Sequence, residues 1–190
     1  NKDMAMHHSL LATQQGSQLV IIDVQEKLAA AMQAEPLAQL VRNCGILLQA
    51  AALLEIPQLY TEQYPKGLGP TVAELAPWLQ AAPRIEKTAF SCAEVPAFRS
   101  QLTSDRPQLI LAGMEAHICV LQTAIGLQQL GHQVIVAEDA VLSRKPEHKR
   151  NALARLQHAG IMVSNTESIV FEWLGRAEGD AFKAISRLIR

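Results

Sequence analysis

Cys119 is the residue of this chain whose type and setting most suggest chemistry. It stands in the segment Gly113-Met114-Glu115-Ala116-His117-Ile118-Cys119-Val120, between an apolar strand-like stretch and a helix-like stretch. At such a junction the first N–H groups of the helix and the positive end of its macrodipole lie nearby. Both stabilise a thiolate, the nucleophilic form of cysteine. The local sequence therefore predicts an activated cysteine.

Two further residues at strand ends would complete a nucleophilic site. Asp23 ends an apolar run, and Lys87 ends a short strand candidate. The aspartate would accept the thiol proton and return it to a leaving group, while the lysine would lower the pKa of the thiol and hold the carboxylate. Backbone N–H groups of the Glu115–Cys119 turn would bind an oxyanion. This set predicts acyl transfer from an amide or ester through a thioester.

Each of these residues also has an ordinary structural explanation. A lone aspartate at a strand end is often a helix N-cap, and a lone lysine is usually a solvated charge. An isolated cysteine is usually inert core, which is the interpretation we give to Cys44 and Cys92. The agreement of three positions at strand ends is what favours a catalytic site.

The pattern of the chain predicts a scaffold that brings these strand ends together. Strands are predicted over residues 18–23, 56–61, 84–87, 108–112, 133–138 and 161–164. Helices are predicted over residues 41–55, 71–79, 94–102, 118–130, 146–159, 166–174 and 180–189, and a loop over 63–70. Alternation of this kind indicates a parallel sheet covered on both faces. We expect a three-layer α/β/α sandwich, Rossmann-like, with a mostly parallel sheet of about six strands.

Ligands bind such sheets outside the carboxyl ends of the strands. Asp23, Lys87 and the loop to Cys119 follow three of those ends, and Glu138 and Asp139 follow the fifth predicted strand. A carboxylate, an ammonium and a thiol are therefore expected to converge on one edge of the sheet.

Composition narrows the class of protein. The chain has 190 residues, of which 49% are apolar and 18% charged, with a net charge of -1. We expect one domain over residues 1–190, with residues 1–16 as a flexible N-terminal segment. Because the chain has no basic stripe and no long apolar run, we expect it to bind neither nucleic acid nor a membrane. Three cysteines without a CxxC pair, and no signal-peptide pattern, lead us to expect a cytoplasmic protein without a zinc cluster.

Three segments carry a resemblance to a known family. They read LVIIDVQEKL, RIEKTAFSC and LAGMEAHICVLQTAIGLQQLGHQVIVAEDAVLSR. In this order they resemble the isochorismatase-like cysteine hydrolases, which include nicotinamidases and N-carbamoylsarcosine amidases, from about residue 18 to about residue 189. The resemblance implies that Asp23 is the general base and acid, Lys87 its supporting cation and Cys119 the nucleophile. It further implies a cis peptide at Met114-Glu115 and an oxyanion site formed by the backbone of Glu115 and Cys119.

Within the family, TEQYPKGLGPTV and the form GxEAxxC most resemble the isochorismatase domain-containing subgroup. Nicotinamidases carry an Asp-x-His and a further histidine after the second strand, which bind a metal. The corresponding segment here, Thr61-Glu62-Gln63-Tyr64-Pro65, has no histidine. We therefore expect no metal site and no cofactor. Ala116-His117 also departs from the Thr-Asp or Thr-Glu of many members, so specificity cannot be transferred from them.

Position alone suggests residues that would line a substrate pocket. They are Gln25, Gln63, Tyr64, Phe90 and His117, the last being either a second acid or base or a structural side chain. The leading hypothesis is a metal-independent cysteine hydrolase of a small amide, imide or ester-like substrate, assembled as a homo-oligomer. The alternative is a catalytically weak binding or scaffold protein with the same fold. A nucleotide-binding domain is disfavoured because the chain lacks both G-x-G-x-x-G and a P-loop.

Overall fold

The computed structural model describes residues 9–190 and contains one sheet of six strands. The strands are β1 (Ser17–Ile22), β2 (Gln58–Gln63), β3 (Arg84–Lys87), β4 (Gln108–Met114), β5 (Gln133–Leu142) and β6 (Met162–Ser164). The helices are α1 (Glu26–Ala29), α2 (Ala34–Leu53), α3 (Pro65–Leu68), α4 (Ala76–Leu79), α5 (Pro96–Gln101), α6 (Leu121–Gln129), α7 (Pro146–His158), α8 (Thr166–Leu174) and α9 (Gly179–Ile189). Short 3-10 turns cover Ala73–Leu75 and Cys92–Glu94, and a π-helical turn covers Ala116–Val120.

The sheet separates two apolar cores. Leu19 and Ile21 of β1 contribute to a core shared with α2, α8 and α9, whereas Val20 and Ile22 contribute to a core shared with α5, α6 and α7. This alternation follows from the two-residue period of a strand and explains why the strands are continuously apolar. The predicted three-layer sandwich is confirmed, and all five pairs of neighbouring strands are parallel.

The strand order creates the place where a site can form. The order is β3-β2-β1-β4-β5-β6, so the chain winds outward in one direction from β1 and then in the other from β4. Helices that leave adjacent strands on opposite sides of a sheet open a crevice at the carboxyl ends of those strands. Asp23 directly follows β1, and Glu115 directly follows β4.

Several predicted boundaries differ from the structure; β2, for example, covers Gln58–Gln63 rather than residues 56–61. Helix α2 begins at Ala34 rather than at residue 41, because Pro36 lies in the first turn, where a missing N–H removes no intrahelical hydrogen bond. The loop predicted over residues 63–70 contains the single turn α3. Strand β5 continues to Leu142 through an irregularity in its register with β4, so Glu138 and Asp139 lie within the strand and not beyond its end.

The expected flexible segment, residues 1–16, is only partly within the described residues, because residues 1–8 lie outside them. The backbone N–H of Ala12, a buried residue, donates to Glu172 Oε1 at 2.8 Å. The N–H of Thr13 donates to Gln108 Oε1 at 2.8 Å. These hydrogen bonds join residues 12 and 13 to parts of the chain that are distant in sequence, while the flexibility of residues 1–16 stays a prediction. Within residues 9–190, no helix combines the length and apolar character that a bilayer crossing requires.

Candidate active site

Asp23 is held at the end of β1 by its main chain and by its carboxylate. Its φ angle is 52°, and its N–H donates to the carbonyl of Thr61 on the neighbouring strand β2 at 3.1 Å. Its Oδ1 accepts a hydrogen bond from the Thr61 hydroxyl at 2.7 Å, and its Oδ2 accepts one from Lys87 Nζ at 2.9 Å. The side chains of Asp23 and Lys87 are both fully buried. A buried ion pair of this kind is stable only when further hydrogen bonds satisfy it.

Lys87 satisfies that condition with four acceptors. Its Nζ contacts Asp23 Oδ2, Gln63 Oε1 at 2.6 Å, and the carbonyls of Ala89 and Phe90 at 3.1 Å each. Burial opposes the charged form, but the Asp23 charge prevails, so the pKa of Lys87 lies above its ordinary value. Lys87 is therefore an ammonium ion that stabilises a carboxylate and fixes the following loop, and it is not a proton acceptor.

Cys119 lies in the π-helical turn between β4 and α6 and is only 6% exposed. Burial, and then the charge of Asp23 and its hydrogen bond with the thiol, raise the pKa of Cys119 well above its ordinary value, although Lys87 opposes this. The resting side chain is thus a thiol facing a carboxylate. Desolvation and the Asp23 charge thus oppose the local helix field from which the sequence predicts an activated cysteine. The arrangement suits proton transfer from sulfur to Asp23 during attack.

Glu115 begins the turn that leads to Cys119. The Met114-Glu115 peptide bond is cis, which is the bond where the resemblance placed a cis peptide. The Glu115 carbonyl accepts hydrogen bonds from the N–H groups of Ile118 and Val120. Its carboxylate accepts bonds from the N–H and the Nε of Arg144 at 3.1 and 2.9 Å. These hydrogen bonds fix the turn on both sides. In general, the first N–H groups of a helix lack intrahelical acceptors.

Gln25 was predicted to line the pocket, but the structure gives it another role. It is fully buried; its Nε2 donates to the carbonyls of Gln63 and Gly69, and its Oε1 accepts the N–H of Gln63. Gln25 thus clamps the segment after β2 to the start of α1. Gln63 uses its side chain between Lys87 and the carbonyl of Thr88. Both glutamines hold the site together.

The other pocket candidates lie nearer the surface. Tyr64 and Phe90 are 57% and 52% exposed, so their rings are available to a ligand. The Nδ1 of His117 lies 2.8 Å from Ser143 Oγ, and its ring centroid is 4.6 Å from that of His148. Burial is the main reason why the pKa of His117 lies below its ordinary value. His117 therefore packs against the end of β5 and the start of α7.

Sequence patterns missed three residues that shape this site. Thr61 occupies an inward position of β2, where a threonine looks like an ordinary strand residue. Ser143 and Arg144 follow the true end of β5, and the prediction ended that strand too early to place them there. The end of β5 is set by the pairing of Leu142 with Met114, which lies beyond an irregularity in the register of β4 and β5. The sequence pattern does not reveal that pairing.

A cavity of about 530 Å³ adjoins the site. Its wall includes Tyr64, Lys87 and Thr88, whereas Asp23 and Cys119 are not part of it. Among residues 9–190, no cluster of three or more His, Cys, Asp or Glu side chains has a geometry that could hold a metal ion.

The geometry defines an α/β protein with a cysteine and a buried Asp–Lys pair at the switch point of a parallel sheet. Residues 17–168 match the family model described as the Isochorismatase domain, and the chain belongs to this family.

Relatives and solved structures agree with this assignment. Isochorismatase domain-containing protein 2 of Homo sapiens is 40% identical over 177 residues, which is 92% of this chain and 83% of that protein. The same protein of Danio rerio is 39% identical over 92% of this chain and 87% of its own. A structure described as the MAR1 ribonuclease from Caenorhabditis elegans superposes with a TM-score of 0.88 at 34% identity, covering 94% of this chain and 92% of that one. The YcaC gene product from Escherichia coli, described as an octameric hydrolase of unknown specificity, has a TM-score of 0.88 at 21% identity, covering 97% and 91%, and supports the fold alone.

Proposed function

We propose that this protein is a metal-independent cysteine hydrolase that cleaves a small amide, imide or ester-like substrate through a thioester on Cys119. The observation that carries the proposal is the fully buried Asp23–Lys87 pair at the sheet edge where the turn of Cys119 begins, with both charges acting on the pKa of the Cys119 thiol. A thiol next to a carboxylate whose charge is held by an ammonium is the arrangement that covalent acyl transfer requires. Membership of the isochorismatase family supports hydrolysis as the reaction class.

The proposed reaction has two halves. Cys119 Sγ attacks the carbonyl carbon while its proton passes to Asp23, and backbone N–H groups of Glu115 and Cys119 stabilise the oxyanion. The C–N or C–O bond then breaks, and the leaving group takes the proton from Asp23. Water next attacks the thioester and gives a proton to Asp23; the acid departs, and the proton returns to sulfur. Lys87 remains charged throughout.

The name of the Caenorhabditis elegans structure raises RNA cleavage as a competing activity. A protein that grips the RNA backbone usually carries a basic patch. This chain has 17 lysine and arginine residues against 18 aspartate and glutamate residues, a net charge of -1. We therefore favour a small carbonyl substrate.

The proposal is tested by intact-mass analysis across a panel of small amides, imides and activated esters, with a fluorogenic RNA oligonucleotide in the same panel. The expected result is an acyl adduct on Cys119 and turnover that Cys119→Ala abolishes. Cys44→Ala is the matched control, because Cys44 is a buried cysteine of α2. Turnover that survives in Cys119→Ala contradicts the mechanism. An absence of both adduct and turnover favours the alternative of a binding or scaffold protein.

We also propose that the chain forms a homo-oligomer, as the octameric description of the Escherichia coli protein suggests. Light scattering coupled to size-exclusion chromatography measures the mass directly. A mass near the 20.8 kDa of one chain would contradict this proposal.

A further inference from the structure

We infer that Thr61 is a positioning residue for Asp23, an inference that rests on the proposed function. Its hydroxyl holds one oxygen of the catalytic carboxylate so that the carboxylate faces the Cys119 thiol. Thr61 touches no substrate in this scheme, and it acts only through Asp23.

The contacts of Thr61 fix Asp23 at two points. Thr61 is 1% exposed and pairs with Ile22, the residue before Asp23, in the register of β1 and β2. Its carbonyl accepts the N–H of Asp23 at 3.1 Å, and its hydroxyl donates to Oδ1 at 2.7 Å. Lys87, from β3, holds Oδ2. Each carboxylate oxygen thus has a donor from a different strand, and the plane of the carboxylate is set.

The surroundings of the Thr61 hydroxyl leave Asp23 as its acceptor. A hydroxyl has one proton to donate, and Thr61 gives it to Asp23 Oδ1. Thr61 is 1% exposed and Asp23 is fully buried, so bulk water does not compete for this proton. The proton of Thr61 is thereby directed at Asp23.

The loop after Lys87 is tied to α6, the helix that follows the turn of the nucleophile. Thr123 of α6 lies four residues after Cys119. Its Oγ1 accepts the N–H of Cys92 at 2.9 Å. Lys87 donates to the carbonyls of Ala89 and Phe90 in the same loop. These contacts link the lysine that holds Asp23 Oδ2 to the helix next to Cys119.

Loss of the hydroxyl would leave Oδ1 buried without this donor. A buried charged acceptor that loses its partner must rotate toward another donor or draw in water. Either movement turns the carboxylate away from the Cys119 thiol. The expected effect is a slower transfer of the thiol proton, with little effect on the binding of a reagent that Thr61 does not touch.

Thr61→Val and Thr61→Ser separate this role from a structural one. Valine keeps the shape and removes the hydroxyl; serine keeps the hydroxyl and removes a buried methyl group. Thr166→Val is the matched control, because Thr166 is also buried and donates to an aspartate, Asp139 Oδ1, at 2.8 Å. The readouts are the thermal midpoint and the single-turnover acylation of Cys119 by p-nitrophenyl acetate, followed by nitrophenolate release and intact mass.

We expect Thr61→Val to lower the maximal acylation rate about tenfold or more, with the half-saturating ester concentration unchanged. Thr61→Ser should retain a rate within about threefold of the wild type even though it loses thermal stability. Thr166→Val should lose stability and keep the wild-type rate. A Thr61→Val rate equal to or above that of the wild type, on an enzyme that does acylate Cys119, overturns the role of Thr61 alone. No adduct on wild-type Cys119 overturns the proposed function and this inference together.

Discussion

Gly113 of β4 lies so close to Ile22 of β1 that a Cβ atom at position 113 would overlap the carbonyl oxygen of Ile22. The φ angle of Gly113 is 127°, a region that residues with a side chain avoid. These two residues are the last register partners of β1 and β4 before the crevice opens. The close approach brings Asp23, which follows Ile22, next to the turn that carries Cys119.

Gly113→Ala should therefore destabilise the protein and disturb the site together. The clash and the backbone strain are expected to lower the free energy of unfolding by about 3 kcal/mol or more, measured by urea denaturation. Gly131→Ala is the control, because Gly131 has a φ angle of 96° but a Cβ atom at position 131 would meet no other atom within 4 Å. Its loss should be about 1–2 kcal/mol, from strain alone. Equal losses in the two variants would mean that the approach of the strands is not what position 113 requires.

Asp23→Asn should move two properties of Cys119 in opposite directions. Removal of the Asp23 charge takes away one cause of the raised pKa of the thiol, while Lys87 continues to favour the thiolate. The pKa of Cys119 should fall by about one unit or more. It is measured by the pH dependence of alkylation, after subtraction of the alkylation that remains in Cys119→Ser. Amide hydrolysis should nevertheless be lost, because no group then accepts and returns the proton. A thiol whose pKa stays the same in Asp23→Asn would contradict the contact with Asp23.

Lys87→Met should cost more than the loss of an exposed charge. It leaves the buried Asp23 carboxylate without its cation, and removal of one partner of a buried pair typically costs about 3–5 kcal/mol. In the double variant Asp23→Asn/Lys87→Met, the loss should be smaller than the sum of the single losses by about 1 kcal/mol or more. Arg176→Met, at an exposed pair with Glu178, should leave the free energy of unfolding almost unchanged. Additive losses at positions 23 and 87 would show that the pair is not coupled.

The sequence predicted those parts of the molecule that depend on periodicity. Continuous apolar runs in alternation with helical stretches predicted the three layers and the parallel sheet, and the ends of the runs placed Asp23 and Lys87 at one edge. The exact end of β5 could not be predicted, because it depends on an irregular register with β4. The pKa of the Cys119 thiol was also beyond local prediction, since position suggests a helix field while burial and a residue 96 positions away act on that pKa.

The roles of Gln25 and Thr61 were beyond the same kind of prediction. Position after a strand suggested that Gln25 faces a ligand, whereas its amide is occupied by the backbone of Gln63 and Gly69. Such contacts depend on where a loop returns to the sheet, and no local pattern encodes that return. The residue types at strand ends thus predicted that Asp23 and Lys87 meet, but they did not predict the side chains that hold this pair.

His117 should make stability depend on pH near the site. The ring is partly buried against Ser143 and His148, with Glu115 and Arg144 also facing it, and burial is the first cause of its lowered pKa. A histidine whose folded pKa is depressed stays neutral in the folded state while the unfolded chain takes up a proton. Its contribution to stability is therefore complete above the ordinary histidine pKa, about 6.5, and is lost as the pH falls through the lowered folded value. Between about pH 8 and about pH 5, the wild type should therefore keep its urea resistance down to about pH 6.5 and lose part of it below that.

His117→Gln isolates this contribution because glutamine cannot titrate and can still form a hydrogen bond with Ser143. Its urea midpoint should fall less than that of the wild type over the same pH range. His158→Gln, at the exposed end of α7, is the control and should follow the wild-type curve. Equal losses of stability in His117→Gln and the wild type on acidification would show that the ring at position 117 is not the titrating group. The protonation of His117 would then not affect the stability of the turn that contains Cys119.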